Sequence, residues 1–497
     1  MPCVTADLLV ALDQGTTSTR AALVDRTGRR IAEAHAPHAQ HHPAPGFVEH
    51  DASEILAAAR RCLDEVLATT DRTRVAGVGI TNQRETIVVW DPATGAPVGP
   101  ALVWQDARTA QDCARLAANG GEELVRERTG LTLQPYFSAT KLAWLLDHLP
   151  GVRERAERGE LRAGTIDCWL AWSLTGAHVS DVTNASRTLL LDTARLAWDD
   201  ELLALFRIPR ALLPEIVPTW RAGGVGLVRD GAAAGLPLLA LVGDQQAALL
   251  GQACVVPGDA KCTYGTGSFL LANAGPRRPE PVSGLLASPA YQASEAPAAY
   301  CLEGASAVAG RAVGWLAGEL GLLPDAAGSA AVAAEVDTSA GVRVVPAFQG
   351  LYAPWWDATA RGAVFGLTLH STRAHVVRAT LEALAFQTRA VLEAAEADTG
   401  LAIDELRVDG GATANGVLLQ ALADVLGRPV SRALDPEATV RGAAFAAGLA
   451  AGVWPDPSAL AALRGPTETV EPVWTADRRD TEYADWLRAV ERSRGWA

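Results

Sequence analysis

Residues 8–25, LLVALDQGTTSTRAALVD, constrain this chain more than any other stretch. The apolar run Leu8 to Leu12 reads as a buried strand. It stops at Asp13-Gln14-Gly15-Thr16-Thr17-Ser18-Thr19-Arg20, and a second apolar run, Ala21 to Val24, follows at once. The pattern predicts a strand, a tight polar turn and a returning strand, with no helix between. Gly15 can take backbone angles that bring amide N–H groups close to a ligand. Hydroxyls, amides and Arg20 can donate to phosphate oxygens, and Asp13 is suited to hold Mg²⁺ through water. An ordinary hairpin with a Gly/Thr-rich turn fits the same residues.

The theme recurs. Ala260–Tyr264, then Gly265-Thr266-Gly267-Ser268, then Phe269–Leu271 is again strand, glycine turn, strand. A third strand, Leu406–Val408, ends in Asp409-Gly410-Gly411-Ala412 and leads into a helix over 416–426. At 497 residues the chain exceeds one ordinary core. We expect two similar α/β domains facing a cleft, residues 1–250 and 251–497, with the boundary near 245–255. Two facing hairpins can clamp the β- and γ-phosphates of a nucleotide, and the third turn can support its adenosine. Lys141 and Lys261 are the two lysines, and neither sits in a G-x-x-x-x-G-K-[ST] loop. Glycines, hydroxyls and arginines must supply the donors instead.

Polar groups also close two other strands. Val75–Ile80 ends in Thr81-Asn82-Gln83-Arg84-Glu85, and Leu238–Val242 ends in Gly243-Asp244-Gln245-Gln246. The carboxyl ends of strands are where open α/β sheets bind ligands. Ile87–Trp90 and Ala101–Trp104 read as a hairpin, and residues 305–320 and 375–399 as helices. Asp51-Ala-Ser-Glu54 has capping-box spacing and opens a helix whose Ile55, Ala59, Cys62 and Val66 share one face.

The net charge of −14 argues against a nucleic-acid surface. No charge-free apolar run is long enough for membrane insertion, and the first residues lack a signal-peptide pattern. Seven scattered cysteines, with no C-x-x-C, suggest neither a disulfide frame nor a zinc site and fit a reducing cytoplasm. Five of nine histidines fall within residues 35–50, where Pro43 to Gly46 favours a solvated loop over a metal site.

The chain resembles the FGGY carbohydrate kinases, which share the actin/Hsp70/hexokinase ATPase fold of two duplicated ribonuclease H-like domains. The segments that carry the resemblance are LDQGTTSTR (12–20), PGFVEHD (45–51), GITNQRET (79–86), VWQ (103–105), QPYFSATKLAWLLD (134–147), TNASRT (183–188), GDQQAAL (243–249), YGTGSF (264–269), PWWDATARGAVFGLT (354–368) and RVDGGATAN (407–415). Within the family they look most like members that phosphorylate glycerol. The resemblance implies ATP and Mg²⁺, glycerol as acceptor, and a dimer or tetramer. It assigns Thr16, Thr17, Ser18, Arg20 and Thr266 to the phosphates, and Gly310, Gly411 and Asn415 to the nucleotide. Arg84, Glu85, Tyr136, Asp244 and Gln245 would hold the hydroxyls, and Trp104 and Phe269 would wall the carbon backbone. Asp244 is the candidate general base, and Asp13 with Asp244 the candidate metal residues. The chain departs from the family pattern at Gly314, Tyr352 and Asp106-Ala107. Another FGGY polyol or sugar kinase, or an actin- or chaperone-like ATPase module, is the alternative.

Overall fold

The computed structural model describes residues 6–294 and 296–497. One strand order is used twice. β1 (Leu8–Gln14) is antiparallel to β2 (Ser18–Asp25), and β2 to β3 (Arg30–Pro37). On its other side β1 runs parallel to β4 (Val75–Asn82), and β4 to β5 (Pro237–Gly243). In the second half β6 (Ala260–Tyr264) is antiparallel to β7 (Ser268–Gly275), and β7 to β8 (Ala299–Ser306). β6 runs parallel to β9 (Leu406–Asp409), and β9 to β10 (Val430–Ala433). Edge strands complete a six-stranded and a seven-stranded sheet.

Seven helices position the strand ends. They are α1 (Ala52–Leu67), α2 (Val182–Ala185), α3 (Asp244–Gly251), α4 (Gly310–Gly318), α5 (Arg373–Thr399), α6 (Gly416–Leu426) and α7 (Ala438–Ala450). The apolar run of β1 follows from coverage on both faces. Successive side chains alternate across a strand, so Leu8, Val10 and Leu12 pack with Ile55, Cys62 and Val66 of α1. Leu9 and Ala11 pack with Val440, Ala444 and Phe445 of α7. A strand buried on both sides reads as continuous apolar sequence. In the second sheet Cys262 and Tyr264 join Leu384 and Leu418 from α5 and α6.

α7 belongs to the second half of the sequence yet covers the first sheet. It crosses α3 at backbone contact: a Cβ on Gly251 would lie 1.9 Å from the Ala438 carbonyl oxygen, and one on Gly442 1.8 Å from that of Ala247. Since α3 leads from β5 towards β6, this helix pair joins the two sheets.

Three local expectations are corrected. Asp51 does cap α1, accepting from the Ser53 N–H, but no capping box forms. Glu54 instead accepts the Ala39 N–H at 3.2 Å, because the loop before the helix folds back over it. The helix expected over 305–320 starts only at Gly310, because Ala305 and Ser306 finish β8 in the middle of a sheet. Small residues suit either state, and pairing with β7 decides. The strand Ile87–Asp91 turns first onto Ala96–Pro97, and of the expected partner 101–104 only Leu102 pairs with it, antiparallel to Ile87. Ala101–Leu102 pairs mainly with Glu49–His50 and so draws the 45–51 segment against the site wall.

His38 and His50 are buried, their rings edge-on at 4.9 Å. Among the described residues no group of three His, Cys, Asp or Glu is placed to hold a metal, and no helix is long and apolar enough to cross a membrane. Six cysteines are free and buried, and Cys3 lies outside the described residues.

Candidate active site

The two glycine turns close alike. In the first, the Gly15 N–H donates to the Ser18 carbonyl at 2.9 Å, and in the second the Gly265 N–H donates to that of Gly267 at 2.9 Å. The first turn is braced from behind. Gln83 Nε2 donates to the Gly15 carbonyl at 3.2 Å, His38 Nε2 to that of Thr16 at 3.1 Å, and Trp104 Nε1 to Thr16 Oγ1 at 3.0 Å. Thr17 is left exposed at the tip, beside half-buried Ser18. Arg20 is half-buried and ion-paired with Glu437, just before α7. The second turn rests on the start of α4: the Gly310 N–H donates to the Gly265 carbonyl at 3.0 Å, and the Ala309 N–H to that of Thr266 at 2.8 Å. A Cβ on Gly310 would stand 2.7 Å from the Gly265 oxygen. The third turn passes under the second, and Gly410 takes φ +91° where a Cβ would meet the Tyr264 oxygen at 2.4 Å. Gly411 is open, and Asn415 caps α6 while donating to Ser329 Oγ at 3.0 Å.

A buried charge cluster lies at the ends of β4 and β5. Arg84 Nε is 3.2 Å from Asp244 Oδ1 and 3.9 Å from Glu85 Oε1. Its two terminal nitrogens donate to both Glu303 oxygens at 2.6 and 3.0 Å, and Nη1 also donates to Gln246 Oε1 at 3.1 Å. Arg187 Nε donates to Glu85 Oε1 at 2.6 Å, and Nη2 to Glu303 at 3.1 Å. Lys261 Nζ donates to Gln245 Oε1 at 2.6 Å. Since Lys261 can only donate, the Gln245 amide presents its NH₂ elsewhere. Tyr136 packs edge-on against Trp104 at 5.6 Å, with the Arg187 guanidinium 5.6 Å from its ring. Phe269, half-buried on β7, offers its carbonyl to Lys261 at 3.5 Å. The structure thus draws Arg84, Glu85, Trp104, Tyr136, Asp244, Gln245 and Phe269 into one connected set of contacts, and Trp104 links that set to the first turn through Thr16.

The electrostatics are sharply divided. Glu303 lies within one buried cluster with two arginines, and despite its burial Arg187 and Arg84 hold its carboxyl down at about 2. Burial raises Asp244 above the usual carboxylate value, against the pull of Arg84 and Lys261. Asp13 is pushed up to about 7 by burial and by the charge of Asp244. Burial lowers Lys261 and raises Tyr136. A carboxyl whose ionisation is opposed by a neighbouring carboxylate is one that a bound cation relieves.

Glu303, Arg187, Gln246 and Lys261 were not singled out as site residues from sequence. Signals existed: Arg187 lies in the TNASRT segment, Lys261 is one of two lysines, and Glu303 interrupts an apolar strand. Of the departures, Gly314 stands on α4 with open space where a Cβ would project, Tyr352 stacks on Trp356 at 5.9 Å, and buried Asp106 grips Arg108.

Two copies of one sheet order, joined by a close-packed helix pair and bearing glycine turns at matching strand ends, define a two-domain protein of the actin-like ATPase fold. The chain belongs to the FGGY family of carbohydrate kinases: the family's N-terminal domain matches residues 8–251 and its C-terminal domain residues 260–451. It is similar to a glycerol kinase of Symbiobacterium thermophilum, 50% identical over 495 residues, covering 98% of this chain and 99% of the relative. A glycerol kinase of Dechloromonas aromatica is 51% identical over 498 residues, covering 98% of each. Among solved structures, glycerol kinase of Plasmodium falciparum with ADP superposes with a TM-score of 0.93 at 33% identity, covering 98% of both chains. A xylulose kinase of Rhodospirillum rubrum gives 0.85 at 28% identity, again covering 98% of both.

Proposed function

We propose that this enzyme transfers the γ-phosphoryl group of ATP to a terminal hydroxyl of glycerol, giving sn-glycerol 3-phosphate and ADP. The observation that carries the reading is the cluster of buried Arg84 and Glu85 with half-buried Asp244 at the strand ends, beside Trp104 and Tyr136 and linked through Trp104 to the first phosphate turn. Relatives of near-equal length at about half identity, each a glycerol kinase, support the substrate.

Arg84 and the Gln245 amide donate to hydroxyl oxygens, and Glu85 accepts hydroxyl protons. A site that pairs each hydroxyl rejects analogues lacking one, because its own buried groups would stay unpaired. Trp104 and Phe269 cover the carbon backbone. Asp244 accepts the proton of the attacking hydroxyl, and its raised pKa brings it nearer the working pH of a base. Thr16, Thr17, Ser18, Arg20 and Thr266 donate to the phosphates, and Gly310, Gly411 and Asn415 border the nucleotide. Asp13 and Asp244 fit one Mg²⁺, which takes one or two carboxylates and completes its shell with water and phosphate oxygens. When bound, Mg²⁺ neutralises phosphate charge. Closure of the halves 1–250 and 251–497 about the α3–α7 contact excludes water. Assembly as a dimer or tetramer, and residence in a reducing cytoplasm, belong to the same proposal.

ADP release measured across glycerol, other short polyols, pentuloses and gluconate tests this reading. Glycerol is expected to give the highest kcat/KM. Preference for a pentulose overturns the substrate, and ATP turnover indifferent to every polyol overturns the kinase reading.

A further inference from the structure

The TNASRT segment (183–188) has so far no part in the reaction, although it is buried throughout. Its placement is unusual. α2 begins the segment, and a single 3₁₀ turn, Ser186–Thr188, ends it. Asp181 caps α2, accepting from the Thr183 and Asn184 N–H groups and from Thr219 Oγ1 at 2.9 Å. With its backbone so fixed, the segment sends three side chains to the ends of β4 and β5 and, through Arg187, to Glu303 within β8.

Thr183 Oγ1 donates to Asp181 and accepts the Gly243 N–H at 2.8 Å. Gly243 immediately precedes Asp244, and a Cβ there would stand 2.8 Å from Arg84 Cδ. Asn184 donates to Asp181 at 2.9 Å, and its Oδ1 accepts from Asn82 Nδ2 at 2.9 Å, at the end of β4. Arg187 reaches Glu85 at 2.6 Å and Glu303 at 3.1 Å. The side chains of Asp181, Thr183, Asn184 and Arg187 are fully buried, so no water competes for these bonds.

We propose that residues 181–187 form a positioning element with separable duties: Thr183 sets the base Asp244 through the Gly243 backbone, and Arg187 sets the hydroxyl acceptor Glu85. Both residues act through others, so they differ in what they spoil. A displaced base is felt only in the transition state and lowers kcat. A loosened Glu85 weakens substrate and transition state alike and raises KM. The inference rests on the roles of Asp244 and Glu85 in glycerol phosphorylation.

Steady-state kinetics on the full-length enzyme separate these duties. Thr183→Val keeps the shape and deletes the hydroxyl; kcat is expected to fall about tenfold or more, with glycerol KM within about twofold. Thr183→Ser, which keeps the hydroxyl, restores kcat. Arg187→Lys keeps the charge but loses the two-pronged grip; glycerol KM is expected to rise about tenfold with kcat within about threefold. ATP KM stays put in the Arg187→Lys variant. Equal proportional changes in kcat and KM for both residues, no change in either, or failure of serine to restore kcat overturns the proposal. If thermal melts show Thr183→Val unfolded, Thr183→Ala against Thr183→Ser carries the same comparison. A wild-type enzyme that prefers another polyol overturns the substrate reading alone, and the kcat–KM separation is then read on that polyol.

Discussion

The first and second halves share a strand order but not a chemistry. At the end of β1 stands Asp13, at the end of β4 Arg84 and Glu85, and after β5 Asp244. At the matching ends in the second half stand Gly265 to Gly267 after β6 and Gly410-Gly411 after β9, whose last residue, Asp409, is buried and bonded to Gln252. Charged groups at strand ends in one half suit a small polar acceptor and its proton. Small residues in the other let backbone approach a large ligand. The two sheets share a strand order, and the residues at their strand ends set them apart. Glu303, from β8, is the exception: it is the second half's acid inside the first half's cluster.

The comparison breaks most visibly at Asp244. Asp244→Asn is expected to lose about 10²–10⁴-fold in kcat, while nucleotide titration shows binding retained; turnover near wild type removes Asp244 as base. Next comes Glu303→Ala. It leaves Arg84 and Arg187 without their shared carboxylate, and breaking a buried pair from one side costs about 3–5 kcal/mol, readable by urea unfolding at neutral pH. The Glu303 carboxyl is held down at about 2 against an ordinary 4.5. Its contribution is therefore complete above the ordinary value and lost as pH falls towards about 2, so the variant's deficit should shrink in acid. Thr266→Ala probes the second half. Losing one donor to a charged phosphate costs about 1.5–3 kcal/mol, so ATP KM rises about tenfold or more while glycerol KM holds. A rise in glycerol KM instead would deny the division of labour. Asp13→Asn is read on the ligand-free enzyme, through stability rather than kinetics. Asp13 binds its proton more tightly folded than unfolded, so it costs stability as pH climbs from 3.8 to about 7. Wild-type melting should fall between about pH 4 and 7 by more than that of the variant, and parallel curves would place Asp13 in a more solvated setting.

Legibility followed the range of the interaction. The turns at 13–20, 265–268 and 409–412 are local: an apolar run, glycine, hydroxyls. Arg84, Glu85 and Asp244 were legible because polar residues closing apolar strands are visible in one window. Glu303 was not, since Arg84 lies 219 residues away and an acid within an apolar strand has no local explanation. Arg187 meets Glu85 across 102 residues. Glu54 illustrates the converse, because its spacing promised a capping box and a loop fifteen residues earlier claimed its carboxylate.

By itself the sequence determined that two α/β halves would each carry a glycine turn after a buried strand, because strand burial and turn chemistry are written in neighbouring residues. It also brought the candidate base and hydroxyl ligands to strand ends. Tertiary structure alone decided how those groups are held. Glu303, Arg187 and Lys261 became supports only when β6, β8 and the 181–188 segment were packed against β4 and β5. Buried charges take their meaning from the partners that desolvation forces on them, and those partners are chosen by packing rather than by spacing.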